Sequence, residues 1–364
     1  MKPIKRVERF GKQCIRSVLG SFLKPVPLEN KDIQPETINR ILVVRQDSRL
    51  GNLVLMSPLL SAIKAAMPHA ELDVLISEGF EEVLTGNPNV DNVILFEKKR
   101  ARLMPWRYLF LISKLRKNEY DMAIDVSDGY HFSLNNILLT AFSGAHYRLG
   151  YERGDAKSFL NILVPLPPKN THMSDAILGL AEKISPIVGK YPMKYYLSDE
   201  DRVFAGKWLI EHDIHDIDSF FAIHPGGKGR KKWGAENFAA LIDKINDAVG
   251  VKIVVLGGKA EKETIEKIKK HSKTRFDILD NVRVGEMAAV IERCDMFISG
   301  DTGPMHVSSA LDRPTVALFS SSNYSVYGPR GMNSRIVVNK EGNFSFDDIM
   351  LAIMGLYGIE PDKK

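Results

Sequence analysis

The feature that most restricts the fold of this chain is an alternation of short apolar runs and stretches with helical spacing. It begins at residue 40 and begins again in the second half, where Ile41–Val44 and Phe220–His224 are the first apolar runs of the two arrays. Such alternation is typical of a parallel sheet with helices on both faces. The chain of 364 residues also exceeds the usual limit for a single hydrophobic core. We therefore predict an α/β protein with two Rossmann-like domains that face each other across a cleft.

The same pattern gives the domain boundaries. The predicted parts are a basic N-terminal extension over 1–38, an N-terminal domain over 39–190, a C-terminal domain over 197–345, and a C-terminal helix and tail over 346–364. Prolines and glycines interrupt the alternation at 150–170, which predicts a long loop there.

Basic residues are concentrated in two segments. Residues 1–24 hold seven basic residues against one acidic residue, and 98–117 hold eight with no acidic residue. In the second segment they alternate with aromatic and aliphatic residues, which suits an anionic membrane surface or an acidic amphiphile. A nucleic acid would also suit a basic patch, but no recognised nucleic-acid motif is present, and a solvated helix with its apolar side in the core is a further alternative. We predict contacts with such an amphiphile or a membrane at Arg100, Arg102, Trp106 and Arg107, and no nucleic-acid partner.

Several classes of protein do not fit the sequence. No apolar run approaches the roughly 20 residues that a membrane-spanning helix needs. Cys14 and Cys294 are too few for a disulfide framework or a cysteine metal cluster. Basic residues interrupt the N-terminal apolar stretch, so it does not resemble a signal peptide. We predict a cytoplasmic protein that binds no metal.

The strongest ligand signal is a polar turn between the apolar strand Met296–Ser299 and a helix of small residues. The turn reads Asp301-Thr302-Gly303-Pro304-Met305-His306. Asp301 or Thr302 can cap the helix, and proline suits its first turn. Free N–H groups and the helix dipole at such a start attract an anion, typically a phosphate. The turn predicts a site for a phosphorylated ligand, with a capped helix that binds nothing as the alternative.

A second turn follows the first strand and reads Arg45-Gln46-Asp47-Ser48-Arg49-Leu50-Gly51-Asn52. It is neither a GxGxxG fingerprint nor a Walker motif. Asp47 and Asn52 are candidate catalytic groups, and Arg45 and Arg49 are candidate acceptor contacts. In the alternative, Asn52 caps the helix and Asp47 forms an ion pair with an arginine.

Two glycine-rich turns follow strands of the second half. The first reads His224-Pro225-Gly226-Gly227-Lys228-Gly229-Arg230-Lys231-Lys232-Trp233, a cationic loop that can close on a pyrophosphate. The second places Glu261 after Gly257 and Gly258, where a carboxylate can accept hydrogen bonds from two ribose hydroxyls. The alternatives are a solvated loop and a glutamate that only favours the helix N-terminus.

Together these turns resemble glycosyltransferase family 9, the lipopolysaccharide heptosyltransferase family. The run from Asp301 to His306 is the most diagnostic match. The other matches follow the family order over roughly residues 40–330: the Asp47–Asn52 turn, Ser57-Pro58, Gly86–Asp91, His224–Gly226, Lys231–Trp233, Gly257-Gly258 with Glu261, Ala310-Leu311 with Pro314, and Tyr327–Pro329.

The resemblance implies a GT-B fold, with the donor bound by the C-terminal domain and the acceptor by the N-terminal one. It implies inverting transfer from a nucleotide-activated heptose, usually ADP-heptose, to a lipopolysaccharide core or related glycolipid, without a metal or other cofactor. That acceptor would place the protein on the cytoplasmic face of the inner membrane. A different nucleotide-sugar donor, or binding without transfer, are the alternatives.

The resemblance also assigns roles to individual residues. Lys231 matches the phosphate-binding lysine, Glu261 the ribose-binding glutamate, and Asp301 an aspartate near the donor sugar. The full set of candidate donor-binding residues is His224, Gly226, Lys231, Gly257, Glu261, Asp301, Thr302, Gly303, Pro304, Met305 and His306. For His224 and His306 a structural hydrogen bond is the alternative.

The chain departs from the family at the first turn. The well-studied members end this turn in Gly-Asp, with the aspartate as the proposed general base, whereas this chain has Gly51-Asn52. An amide cannot accept a hydroxyl proton at neutral pH. Asp47 therefore becomes the predicted base. Alternatively Asn52 only orients the acceptor, or the protein is slow or inactive.

Overall fold

The computed structural model describes residues 25–47, 49–97, 100, 104, 106–127, 132–227, 233–320, 323–339 and 344–358. These residues form two compact units. The first lies within Met1–Ser48 and Met56–Pro192, and the second within Arg49–Leu55 and Met193–Lys364. The short segment Arg49–Leu55 thus packs with the second unit although it sits within the predicted N-terminal domain.

The first unit is built on a six-stranded parallel sheet in the order β3-β2-β1-β4-β5-β6. Its strands are β1 Arg40–Arg45, β2 Glu71–Ser77, β3 Asn92–Phe96, β4 Met122–Asp125, β5 Tyr147–Tyr151 and β6 Ile162–Val164. Its α-helices are α2 Ser57–Ala66, α3 Trp106–Lys117, α4 Leu134–Phe142 and α5 Met173–Leu178, and its 3-10 turns are Asn30–Asp32, Pro35–Thr37, Glu81–Val83, Ala156–Ser158 and Ala181–Lys183. The strand order reverses between β1 and β4, and ligands of open α/β sheets bind beside such a reversal, at the carboxyl ends of the strands.

The second unit repeats this topology in the order β12-β11-β10-β7-β8-β9, again parallel throughout. Its strands are β7 Phe220–His224, β8 Lys252–Gly257, β9 Asp277–Asp280, β10 Met296–Gly300, β11 Thr315–Phe319 and β12 Ser334–Val338. Its helices are α1 Leu50–Val54, α6 Asp199–Glu211, α7 Ala235–Val249, α8 Lys262–His271, α9 Val284–Arg293, α10 Gly303–Ala310, α11 Tyr324–Tyr327 and α12 Phe346–Tyr357. The reversal here lies between β7 and β10.

Local chemistry explains where several of these elements begin and end. The Ser198 hydroxyl accepts from the Asp201 N–H while the Asp201 carboxylate accepts from the Ser198 N–H, which closes a capping box at the start of α6. Gly250 ends α7 with a φ of 72°, a left-handed conformation that favours glycine. On the inner side, Phe238 of α7 and Ile353 of α12 pack into one core with β7. These contacts fix the sheet whose edge carries the candidate site.

The α/β prediction with two Rossmann-like arrays is confirmed, and the predicted loop at 150–170 is wrong. Part of β5, the turn Ala156–Ser158 and strand β6 occupy that stretch. Gly150 lies inside β5, where a Cβ would come within 2.8 Å of Leu160 Cδ1, so the missing side chain permits close packing. The stretch Leu53–Met67 contains the end of α1 and all of α2, and Leu55 and Met56 lie between the two helices. No helix in the described ranges is long and apolar enough to cross a membrane.

Candidate functional site

The candidate donor site lies at the carboxyl edge of the second sheet, on three adjacent strands. His224 ends β7, Gly257 ends β8, and Gly300 ends β10. Because β7 and β10 flank the reversal of strand order, this edge is where an open α/β sheet offers a ligand crevice. Those sequence-predicted donor residues that the structure describes are therefore brought to one edge of one unit.

His224 is a buried ionisable group of this edge. Its ring is enclosed, with only 7% of the residue exposed. The Gly226 N–H donates to Nδ1 at 3.3 Å, and the Thr302 hydroxyl lies 3.4 Å from the same nitrogen. Because Nδ1 accepts from the Gly226 N–H, the neutral ring carries its proton on Nε2. His224 thus links two of the predicted turns.

Burial decides the charge of His224. Loss of solvation lowers the pKa of His224 to about 4, although the Glu261 carboxylate acts in the opposite direction. The imidazole is consequently neutral at neutral pH. A neutral ring suits a site that holds an anion by N–H groups, and it gives His224 a structural role as well as a position in the site.

Glu261 is anchored to the glycine turn that precedes it. Its Oε2 accepts from the Gly258 N–H at 3.1 Å, and its own N–H donates to the Gly258 carbonyl at 3.1 Å. Glu261 occupies the N-cap position of α8 without a side-chain bond to the helix. A Cβ on Gly257 would lie 2.9 Å from the Glu261 Cβ, so glycine allows this approach. The turn holds the carboxylate in place at the sheet edge.

The turn after β10 begins a helix at Gly303, with Pro304 in its first turn as predicted. Thr302 occupies the N-cap position, but its side chain makes no capping bond. Its hydroxyl instead lies 2.8 Å from the buried Ser299 hydroxyl and close to His224. The helix N-terminus is therefore not closed by Thr302. Of this turn, Met305 and His306 are buried whereas Asp301 is partly exposed.

Segment Arg49–Leu55 packs directly on this helix. A Cβ on Gly51 would lie 2.4 Å from His306 Cδ2, and a Cβ on Gly303 would lie 2.8 Å from the Leu50 Cβ. Two glycines thus let α1 and α10 approach more closely than side chains would allow. Asn52 is buried in this short helix, and its N–H donates to the Arg49 carbonyl at 3.2 Å. Sequence patterns gave no sign of this association.

The candidate catalytic carboxylate of Asp47 follows β1 in the first unit. The Arg45 Nη2 lies 3.5 Å from the Asp47 Oδ2, and the Arg45 Nη1 donates to the Val126 carbonyl. Arg45 is 1% exposed, so its role is to hold the strand end and Asp47. The side chain of Asp47 remains a quarter exposed and accessible to a ligand.

Sequence reasoning missed a polar cluster beside Asp47, at the ends of β1 and β4. Asp125 is buried, accepts from the Ser127 N–H at 3.0 Å, and forms an ion pair of 3.2 Å with Arg153. Gln46 is also buried, and neither of its side-chain amide atoms has a hydrogen-bond partner among the described residues. Buried polar atoms usually have partners, so the Gln46 side chain is an exception at the carboxyl edge of the first sheet. The signal of this cluster in the sequence was a carboxylate at the end of an apolar strand.

The predicted acceptor or membrane contacts lie on or near α3. Trp106, Leu109 and Phe110 are exposed by 62%, 68% and 74%, whereas Leu111 and Leu115 are buried in the first unit's core. The helix therefore has apolar residues on both sides. Arg107 and Arg100 both form ion pairs with Glu97. Arg102 and Lys231 lie outside the described residues.

Comparison with known proteins agrees with this architecture. The family model described as glycosyltransferase family 9 (heptosyltransferase) matches residues 108–349. Lipopolysaccharide heptosyltransferase 3 of Escherichia coli is 25% identical over 296 residues, which are 78% of this chain and 84% of that protein.

Solved structures share the fold. The glycosyl transferase family 9 protein of Veillonella parvula has a TM-score of 0.79 at 23% identity over 89% of this chain and 99% of its own. The E. coli ADP-heptose lps heptosyltransferase II has a TM-score of 0.72 at 21% identity over 87% and 98%. The predicted GT-B class is confirmed. Because the family model covers more than half of the chain, this protein belongs to glycosyltransferase family 9 and is a glycosyltransferase.

Proposed function

We propose that the protein transfers a heptose from ADP-heptose to a lipopolysaccharide core or a related glycolipid, with inversion at the anomeric carbon. The proposal rests on one observation: His224, Glu261 and Thr302 lie together at the carboxyl edge of the second sheet, beside the reversal of its strand order. Each sits beside a glycine or a helix start that can approach a nucleotide diphosphate. The relative named lipopolysaccharide heptosyltransferase 3 motivates the choice of sugar and acceptor.

The donor is proposed to lie on the second unit. The Glu261 carboxylate, fixed by the Gly258 N–H, would accept hydrogen bonds from the ribose hydroxyls. The N–H groups of Thr302, Gly303 and Met305 would face the diphosphate, while the proline among them has none to give. Lys231 would add a positive charge beside the leaving diphosphate.

The transfer is proposed as one displacement. The acceptor hydroxyl gives its proton to the Asp47 carboxylate, and its oxygen forms a bond to the anomeric carbon. The bond from that carbon to the diphosphate oxygen breaks, and its electron pair leaves with ADP. Attack opposite the leaving group inverts the anomeric centre. We propose that the charge of the leaving diphosphate is offset by N–H groups and Lys231, so that no metal is required.

Calorimetric titration with ADP, UDP, GDP and CMP in the presence of EDTA tests the donor. We expect selective binding of ADP, weakened about tenfold or more by Glu261→Ala and by Lys231→Ala, because each removes a charged partner of the nucleotide. Glu263→Ala is the matched control, since Glu263 is exposed on the same helix and pairs with Lys267 at 2.7 Å.

The same titration separates the alternatives. If the protein prefers another nucleotide, ADP-heptose is excluded as the donor but the candidate site is retained. Binding of ADP without formation of a transfer product would favour the second candidate, a nucleotide-sugar-binding protein that has lost transfer, for which Asn52 in place of the family's aspartate is the motivating observation. No binding of any nucleotide would count against both candidates.

We propose that helix α3 places the protein on an anionic membrane surface, where a glycolipid acceptor is found. Its exposed Trp106 and Phe110 would enter the interfacial region, and the basic residues of 98–117 would face lipid phosphates. The buried Leu111 and Leu115 already fill the core, so the outward apolar residues are not needed for folding.

Sedimentation with phosphatidylglycerol vesicles measures this contact. We expect Phe110→Ser to weaken vesicle binding about tenfold or more, because burial of a phenyl ring contributes about 1.5–3 kcal/mol. Tyr324→Ser, a change at an exposed aromatic residue of the second unit, should bind as the unaltered protein does. If all three proteins sediment equally with the vesicles, α3 is excluded as the membrane contact.

A further inference from the structure

A cavity lies in the first unit, away from every residue assigned above to the donor, and of the basic segment 98–117 its described lining contains Arg116. It has a volume of about 430 Å³ and opens beside the amino ends of β5 and β6. The candidate site uses the carboxyl ends of strands, so this cavity is at the other edge of the sheet. Its polar lining residues are Arg116, His146, Arg148 and Asn161.

Asn161 builds the wall of this cavity. Its Oδ1 accepts from the Arg148 N–H at 2.7 Å, and its Nδ2 donates to the His146 carbonyl at 2.7 Å. Its own carbonyl accepts from the Leu28 N–H at 2.8 Å, which ties the chain near residue 28 across the cavity. Both sides of the amide are thus used to hold His146 and Arg148 at fixed positions.

Arg148 is the unusual charge in this cavity. Its side chain is partly buried, and its Nε has no hydrogen-bond partner among the described residues. Loss of solvation lowers the pKa of Arg148, although a guanidinium stays charged at neutral pH. A partly desolvated cation with no carboxylate partner in the described part of the chain is costly, and an anionic ligand offsets that cost.

The lining residues favour a ligand that has a negative charge and an apolar part. Arg116, His146 and Arg148 supply positive or hydrogen-bonding groups, and no described residue that lines the cavity is acidic. Guanidinium groups bind phosphate in a bidentate manner and with strong hydrogen bonds. Val26 and Leu28 line the same cavity and offer an apolar wall beside these groups.

We propose that this cavity binds the phosphate group of an amphiphile, with the phosphate on Arg148 and Arg116 and an apolar portion against Val26 and Leu28. Arg116 belongs to α3, the helix that exposes Trp106 and Phe110, so the cavity adjoins an apolar and basic surface. A phospholipid headgroup at a membrane surface has this chemistry. The inference uses no step of the proposed sugar transfer.

Calorimetric titration with inorganic phosphate and with short-chain phosphatidic acid tests the proposal. We expect phosphatidic acid to bind more tightly than inorganic phosphate, because only the lipid reaches the apolar wall. Arg148→Gln should weaken both ligands about tenfold or more, since it removes charge-assisted hydrogen bonds. Arg275→Gln, a change at an exposed arginine of the second unit, is the matched control and should change neither.

Vesicles distinguish the sources of the phosphate. Arg148→Gln should lose binding to phosphatidylcholine vesicles that contain phosphatidic acid, and Arg116→Gln should lose it in part. If inorganic phosphate and phosphatidic acid bind equally and vesicle binding is unchanged by Arg148→Gln, the phosphate is carried by a soluble compound and the lipid assignment is overturned. If Arg148→Gln matches Arg275→Gln in every titration, the site itself is overturned.

Folding of the variants is checked independently. Arg116 is exposed, so Arg116→Gln should melt within a few degrees of the unaltered protein and keeps the test valid if Arg148→Gln unfolds. Nucleotide titration of the same variants should be unchanged, because the cavity contains none of the proposed donor residues. A loss of nucleotide binding with intact phosphate binding would count against the proposed function alone.

Discussion

Replacement of Asp47 by asparagine is expected to lower kcat by a factor of about 10²–10⁴ with a much smaller change in KM. A positioned general base contributes about this much to a rate, and an amide of the same shape cannot take the hydroxyl proton. The substituted amide would keep the size of the side chain beside Arg45, so the strand end is retained. Initial rates of ADP release with saturating acceptor measure the effect.

Two comparisons make the result specific to proton transfer. Asn52→Ala should cost less, about tenfold, because it removes hydrogen bonds and no ionisable group. An unchanged kcat in Asp47→Asn would exclude Asp47 as the base. Recovery of activity in Asn52→Asp combined with Asp47→Asn would show that position 52 can serve instead.

Much of the fold could be predicted because local signals agree with the packing. Helices Leu134–Phe142 and Asp199–Glu211 each begin after a serine whose hydroxyl accepts from the backbone, and such a cap can be recognised in the sequence. Strand Phe220–His224 has its predicted bounds because all five of its residues are buried. In such elements, propensity, capping and burial favour the same structure.

The errors arose where a residue has two physical uses. The sequence pattern predicts Gly150 as a loop residue. It lies in strand β5, where its missing side chain makes room for Leu160. Strand β6 has only three residues, Ile162–Val164, too few for periodicity to separate it from a loop. The hydrophobic pattern also fails to identify strand β12, because two of its five residues are exposed.

The candidate site also has features that could be predicted from the sequence and features that could not. Each turn that ends a strand could be found locally, since glycine, histidine and carboxylate follow an apolar run. The contact of Gly51 with His306 and the contact of Gly303 with Leu50 could not, because they join segments about 250 residues apart in the chain. The Gln46 side-chain amide, which has no hydrogen-bond partner within the described ranges, was also beyond prediction, because only packing reveals which polar atoms lose their water.

Gly226→Ala is expected to reduce kcat/KM about 10²-fold and to weaken ADP binding in parallel. A Cβ at this position would lie 2.2 Å from the His224 Cε1 and 2.8 Å from its Nδ1, distances that no carbon can occupy. The ring is buried and cannot swing away, so the turn itself must move. His224 would then lose the Gly226 N–H and its approach to Thr302, and a displacement of about 1 Å in a site can cost this much in rate.

The matched control is Gly355→Ala, which adds the same methyl group to the exposed face of α12, where nothing lies within 4 Å. Alanine is the better helix former by about 1 kcal/mol, so this variant should melt slightly higher and keep full activity. Thermal melting separates the two effects of Gly226→Ala: a fall in kcat/KM with a nearly unchanged Tm places the damage in the donor site. Full activity and full ADP affinity in Gly226→Ala would mean that the His224 ring has no part in holding the donor, and the candidate site would have to be redrawn without β7.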